Sequence, residues 1–292
     1  MNKAEYLKEY QNYLNIFERY AIDVFKGVNS RSPLADAMKY SFFAGGKRIR
    51  PVLMIATSDK LSGNIDEVLP FAFALECIHT YSLIHDDLPA LDNDDLRRGK
   101  QSNHKKFGEA IAVLAGDGLL NLAFEHCLKF CDNKEKLSAL LKIAEFSGFN
   151  GMLGGQALDV TSQGKDIRDE DTLQNIYEMK TCKFLILPFV IPAILLNLND
   201  IEVFEDIGRK TGVLFQYVDD LSDIKGGKQA SGKSMGKDLK EDKLTAVKIY
   251  GEIKLKEKIK RLSEEIIENL KSLKNSEFFK CFILDVISDY AN

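Results

Sequence analysis

Tryptophan is absent from the 292 residues, proline occurs six times, histidine four times, and five cysteines contain no Cys-x-x-Cys pair. Each scarcity excludes something. An odd set of cysteines (77, 127, 131, 182 and 281) rules out a disulfide-stapled scaffold and predicts reduced, mostly buried thiols in a cytoplasmic protein. No proline falls in the last hundred residues, and Leu, Lys, Glu, Ile and Ala are abundant, which predicts a mostly helical chain. Charge of one sign is also missing: 40 basic against 44 acidic residues give −4, so no basic field invites nucleic acid. The most apolar run, residues 184–198, holds two prolines and an asparagine. It falls short of the ~20 residues that a membrane span needs and reads as a buried helix. The opening MNKAEYLKEYQNYL has no apolar signal core.

What the chain does contain is helical periodicity. Tyr6, Tyr10, Tyr13, Leu14, Phe17, Ala21 and Val24 recur at steps of three and four, an amphipathic stripe over 3–27. The same pattern predicts helices over 34–44, from Pro51, and over 66–88, 107–131, 134–151, 169–182, 183–197, 200–223, 243–272 (with a break at Gly251) and 276–290. Residues 66–88 are apolar on nearly all sides and so should be central. No stretch of strict alternation demands a sheet, and no linker or repeat divides the chain. The expectation is one all-α domain over 1–292, with loops at 28–33, 89–106, 161–168 and 224–240.

Two acidic clusters stand out. The first, HDDLPALDNDDLRRG, places Asp86, Asp87, Asp92, Asp94 and Asp95 at the end of the most apolar helix, followed by Arg97 and Arg98. Charges bordering an apolar helix are costly unless paired or bound to metal. Pro89 should end the helix and let the chain turn Asp92 back. The second, FQYVDDLSDIKG, puts Asp219 and Asp223 four apart on one helix face, with Asp220 between them and Gln216 close by. Carboxylates without supporting histidine or paired cysteine suit Mg²⁺ rather than Zn²⁺, and Mg²⁺ takes phosphate oxygens as its remaining ligands. Cations flank both clusters: Lys47, Arg48 and Arg50 after Gly45-Gly46, and Lys225, Lys228, Lys233, Lys237, Lys240 and Lys243 after the second.

Two motifs mislead. Residues 227–234 match GxxxxGK[ST], the phosphate loop of nucleotide hydrolases. That loop needs a strand before it, and here an acidic helix precedes it. His85-Asp86 could begin a phosphohydrolase site, but only His79 precedes it, on the same helix.

GGKRIRP, LECIHTYSLIHDDLP, DDLRRG, FQYVDD and DDLSD occur in that order across nearly the whole chain. Together they resemble the trans-prenyl diphosphate synthases, most closely the bacterial farnesyl diphosphate synthases. The resemblance implies an isoprenoid-synthase helical bundle around a central cavity, a cytoplasmic homodimer, and two or three Mg²⁺ per site. It implies that isopentenyl diphosphate adds to dimethylallyl and geranyl diphosphate, with the departed diphosphate as base. Asp86, Asp87 and Asp92 would serve metal on one side, and Asp219, Asp220 and Asp223 on the other. Arg97, Lys180, Lys233 and Lys243 would hold the allylic diphosphate. Lys47, Arg50, His79 and Arg98 would bind isopentenyl diphosphate, with Thr181 and Gln216 near the reacting carbons. The family's length gauge falls on Tyr81, although an ideal helical wheel puts Ser82 nearer the line below Asp86. Alternatives are a geranylgeranyl or other short-chain synthase and a non-catalytic partner subunit. The completeness of both acidic motifs argues against the last.

Overall fold

The structure is a computed structural model that describes residues 1–28, 32–163, 169–225 and 243–291. It is an all-α bundle whose buried side chains, from Tyr6 to Val286, form one continuous cluster. Helix α1 (Lys3–Gly27) opens on a capping box: Asn2 accepts from the Glu5 amide, and Glu5 reaches back to the Asn2 amide. It buries Tyr6, Tyr13, Phe17, Ala21 and Phe25, so the stripe runs one residue beyond the expected Val24. Helices α2 (Leu34–Phe42), α3 (Ile49–Lys60) and α4 (Ile65–Asp86) follow. Fourteen of α4's side chains are buried, which makes it the central helix. Fully burying a large apolar side chain is worth about 1.5–3 kcal/mol, so α4 anchors whatever is attached to its end.

Beyond α4 come a two-stranded hairpin, β1 (Leu96–Arg97) and β2 (Lys100–Gln101), then α5 (Asn103–Phe107), α6 (Glu109–Leu128) and α7 (Lys134–Ser147). Helix α6 packs on α4, and α7 packs on α10. Next are α8 (Met152–Ser162), α9 (Glu170–Tyr177), a π-turn (Glu178–Cys182) and α10 (Lys183–Leu195). Helix α10 carries the apolar run and buries Phe184 to Ala193 continuously. It lies against α11 (Ile201–Lys225) and α3. Helices α12 (Ala246–Leu270) and α13 (Glu277–Ala291) complete the bundle.

The differences from the periodicity reading have local causes. The helix expected over 107–131 is α6, which starts only at Glu109 because Gly108 stands at φ +87°, and the short α5 occupies the end of the expected 89–106 loop. Helix α8 lies where no helix was expected, in the glycine-rich stretch GMLGGQALDV. The 169–182 helix gives way to the π-turn. The predicted break at Gly251 is present, with φ +74° inside α12. The loop 89–106 contains the hairpin, whose two-residue turn Arg98-Gly99 has both φ values positive, at +53° and +73°. Such a turn matches the twist of a hairpin.

Candidate active site

Helix α4 ends at Asp86, three residues before Pro89, since a residue preceding proline is disfavoured in the helical region. The chain then folds back on the helix end. The Asp92 amide donates to the Asp86 carbonyl at 2.8 Å, and the Asp94 amide to the Asp87 carbonyl at 3.1 Å. This turn brings Asp92 beside Asp86, which an unbroken helix could not do. The Asp86 carboxylate accepts from Gln156 Nε2 of α8 at 2.9 Å. Asp87 faces inward, 2% exposed, and accepts from Arg97 Nε at 3.0 Å. Arg97 also lies 3.6 Å from Asp94. Burial works against the Arg97 charge, but Asp87 outweighs it and the pKa is raised. The structure therefore sets Asp87 and Arg97 against each other behind Asp86.

The basic residues after Gly45-Gly46 separate by direction. Arg48 turns into the core at φ +50°, pairing with Glu18 and Glu76 at 2.8 Å each and lying 4.9 Å from the Phe42 ring centroid. Lys47 faces outward, and its carbonyl accepts from Tyr10 at 2.6 Å. Arg50 is recessed over the Phe184 ring, 5.5 Å from its centroid, and its Nε has no partner among the described residues. Burial lowers its pKa to about 10, with Glu76 opposing and Arg98 adding to the shift. The hairpin swings Arg98 onto the glycine pair, where it donates to the Gly45 carbonyl. A Cβ at Gly46 would stand 2.8 Å from Arg98 Cζ, so close approach requires glycine there. His79 is held neutral, its pKa pushed well below 6.5 by burial and by Arg50 and Arg98. Arg50 and Arg98 thus set a positive field around a neutral His79, an arginine recess.

On α11 the neighbouring aspartates diverge. Asp219 and Asp223 are exposed, whereas Asp220 is 4% exposed. Asp220 accepts from Gln216 Nε2 at 2.8 Å, from the Ala246 amide at 2.6 Å, and from the Tyr177 hydroxyl. Burial raises its pKa to about 7 against those hydrogen bonds. Asp220, expected among the metal ligands, has both oxygens engaged within the protein. Gln216 accepts from Thr181 Oγ1 at 3.1 Å, which joins the two residues expected near the reacting carbons.

Lys180 projects from the π-turn to pair with Asp159 of α8. Burial opposes its charge, but Asp159 and Asp86 prevail and its pKa is raised. A Cβ at Gly155 would lie 2.3 Å from the Lys180 amide nitrogen. Glycine at that position therefore lets α8 reach the π-turn. Lys243, just before α12, stands 3.5 Å from Asp92 Oδ1. Lys233 and the phosphate-loop-like stretch 227–234 lie outside the described residues, as do Lys228, Lys237 and Lys240. Tyr81 is buried one turn below Asp86 with its hydroxyl unpartnered among the described residues. Burial and Asp86 push its pKa up to about 12. Ser82 donates to the His79 carbonyl at 2.9 Å within its own helix.

The sequence reading missed Gln156, Asp159, Tyr177 and Glu76. The first two sit three apart on one face of α8, a spacing visible only once that segment is taken as helix. Among the described residues no three carboxylates, histidines or cysteines gather to hold an ion unaided. The oxygen-only donors nonetheless fit Mg²⁺, which commonly binds one or two carboxylates and completes its shell with water and phosphate oxygens. Asp86 and Asp92 on one side and Asp219 on the other could hold it.

The structure is a helical bundle with two acidic motifs, lysines near both and an arginine recess alongside. The family model described as polyprenyl synthetase matches residues 31–282. A farnesyl diphosphate synthase of Micrococcus luteus is 43% identical over 267 residues, covering 90% of each chain. The large subunit 1 of a heterodimeric chloroplastic geranylgeranyl pyrophosphate synthase from Arabidopsis thaliana is 44% identical, over 82% of this chain and 68% of that one. Among solved structures, a geranyltransferase from Helicobacter pylori complexed with magnesium and isoprenyl diphosphate superposes with a TM-score of 0.82, 29% identity and 96% coverage of both chains. The chain belongs to the polyprenyl synthetase family and is a prenyltransferase of the farnesyl or geranylgeranyl diphosphate synthase type.

Proposed function

We propose that this protein condenses isopentenyl diphosphate with dimethylallyl and then geranyl diphosphate, releasing diphosphate and yielding farnesyl diphosphate. The observation that carries this reading is the placement of an arginine recess beside two acidic motifs. Arg50 and Arg98, with Lys47 at the rim, hold the diphosphate of the isopentenyl substrate. Lys180 and Lys243, with Arg97 and Lys233 as the resemblance implies, hold that of the allylic substrate. Asp86, Asp92, Asp219 and Asp223 would hold Mg²⁺, which when bound would supply positive charge to stabilise the charge developing on a leaving diphosphate. Asp87 serves indirectly by orienting Arg97. Thr181 and Gln216 are hydrogen-bonded to each other. The apolar side chains of α4 and α10 keep water from the allylic cation.

The fifteen-carbon product is supported by Tyr81 and by the Micrococcus relative. Five helical residues rise about 7.5 Å, so the ring lies a little over one turn below the metal aspartates. The geranylgeranyl relative favours a twenty-carbon product as the second reading. Incubating purified protein with Mg²⁺, isopentenyl diphosphate and each allylic primer, then chromatographing the products, decides between them. In that assay Tyr81→Ala should open the cavity floor and shift products to twenty carbons or more. An unchanged fifteen-carbon product in that variant would place the length limit on another residue.

A homodimer is proposed on the outer faces of α6 and α7, where Val113, Leu114, Leu128, Leu137 and Leu141 are exposed. Exposed apolar side chains gathered on two helices offer such a surface. A cytoplasmic location is supported by five free cysteines.

A further inference from the structure

We propose that Asp220 serves as a positioning residue rather than a metal ligand, holding in register the two lysines that flank the acidic motifs. The proposal rests on the diphosphate-binding reading above and adds a role for Asp220 and Tyr177. Asp220 Oδ1 accepts from Gln216, and Oδ2 accepts from the Ala246 amide and the Tyr177 hydroxyl. The Ala246 amide also lies 2.9 Å from the Tyr177 oxygen, so three elements meet at one point. Successive residues on a helix point about 100° apart, which is why Asp219 can face outward while Asp220 is sealed inside.

The geometry gives this clamp two lever arms. Ala246 opens α12, and Lys243, three residues earlier, stands 3.5 Å from Asp92. Tyr177 ends α9, and Lys180, three residues later, is paired with Asp159 and feels the Asp86 charge. Asp220 thus ties the second acidic helix to both lysines, and through them to the first motif. The Tyr177 ring also packs edge-on to Tyr217 at 6.1 Å, so losing its hydroxyl leaves the packing in place.

Asparagine can replace Asp220 without breaking the clamp. Its oxygen would take the Ala246 and Tyr177 donors. Its amide would donate to a flipped Gln216, whose own amide Thr181 can accept. At a metal ligand the same exchange removes a negative charge and weakens Mg²⁺ binding.

The test is calorimetric titration of the full-length protein with MgCl₂ in the presence of inorganic diphosphate, alongside amide hydrogen exchange and steady-state kinetics. Asp220→Asn should leave the half-saturating Mg²⁺ concentration unchanged, while Asp219→Asn raises it ~10-fold or more. Tyr177→Phe should raise the KM for the allylic diphosphate about tenfold at unchanged Mg²⁺ half-saturation. Combined with Asp220→Ala it should add nothing further, since both remove one network. An Asp220→Asn variant that weakens Mg²⁺ as much as Asp219→Asn overturns the proposal. If the wild type binds no Mg²⁺ and diphosphate, the reading above fails instead, and exchange alone judges the clamp. Asp220→Ala must then speed exchange at Ala246 and in the 178–182 turn, and unchanged exchange overturns it.

Discussion

Asp86→Ala and Asp219→Ala are each expected to lower turnover by orders of magnitude while the fold survives. Asp86 sits at the end of the central helix α4, where it accepts a hydrogen bond from Gln156 and is sensed by Lys180. Asp219 is exposed on α11. Neither carries core packing, so circular dichroism and thermal melting should resemble those of the wild type. The loss arises in the transition state, where the departing diphosphate gains charge. Removing one fixed stabiliser of developing charge typically costs 10²–10³ in rate, and each aspartate removes more than a single donor by weakening an ion's site. Chelating the metal should abolish product from the wild type altogether. Steady-state assays with isopentenyl and geranyl diphosphates in excess Mg²⁺ would measure this. Full activity in either variant would show that the acidic motifs do something else.

The largest effect on stability is expected at Glu76, which pairs with Arg48 and belongs to neither acidic motif. Its carboxylate is 2% exposed and pairs with Arg48, whose side chain is 1% exposed. Glu18 takes the other edge of the guanidinium, and the Phe42 ring covers its face. Glu76→Ala leaves that cation in the core with only the half-exposed Glu18 to balance it. Breaking a buried pair from one side costs about 3–5 kcal/mol. Glu76 also opposes the burial that lowers the pKa of both Arg50 and Arg98. The variant should therefore melt earlier and bind isopentenyl diphosphate differently. Replacing both partners, as Arg48→Met with Glu76→Leu, should recover most of the stability because no buried charge is then stranded. Urea unfolding of the three proteins measures the effect. A loss under about 1 kcal/mol in Glu76→Ala would mean that water or another group reaches Arg48.

Helix α1 was legible because its stripe repeats every three to four residues, and α4 and α10 because long runs apolar on nearly every side read as buried helices. Helix α8 escaped because glycine weakens the helical signal that Gly154 and Gly155 interrupt. The reason for Gly155 is tertiary: its missing side chain makes room for the backbone of Lys180. The hairpin escaped because two residues per strand are too few to show alternation, although Arg98-Gly99 is a recognisable turn pair.

The sequence by itself determined the helical class, the two carboxylate clusters, and the cations that flank them. These follow from residue type and local spacing, which hold whatever the chain packs against. Only the tertiary structure decided which member of each cluster faces which way. Arg48 and Arg50 are two residues apart, yet one is spent on Glu18 and Glu76 and the other waits over Phe184. Asp219 and Asp220 are adjacent, yet one is exposed and the other clamps Tyr177 to Ala246. Periodicity shows which residues share a helix face, but burial of that face depends on a partner dozens of residues away, and local spacing carries no record of it.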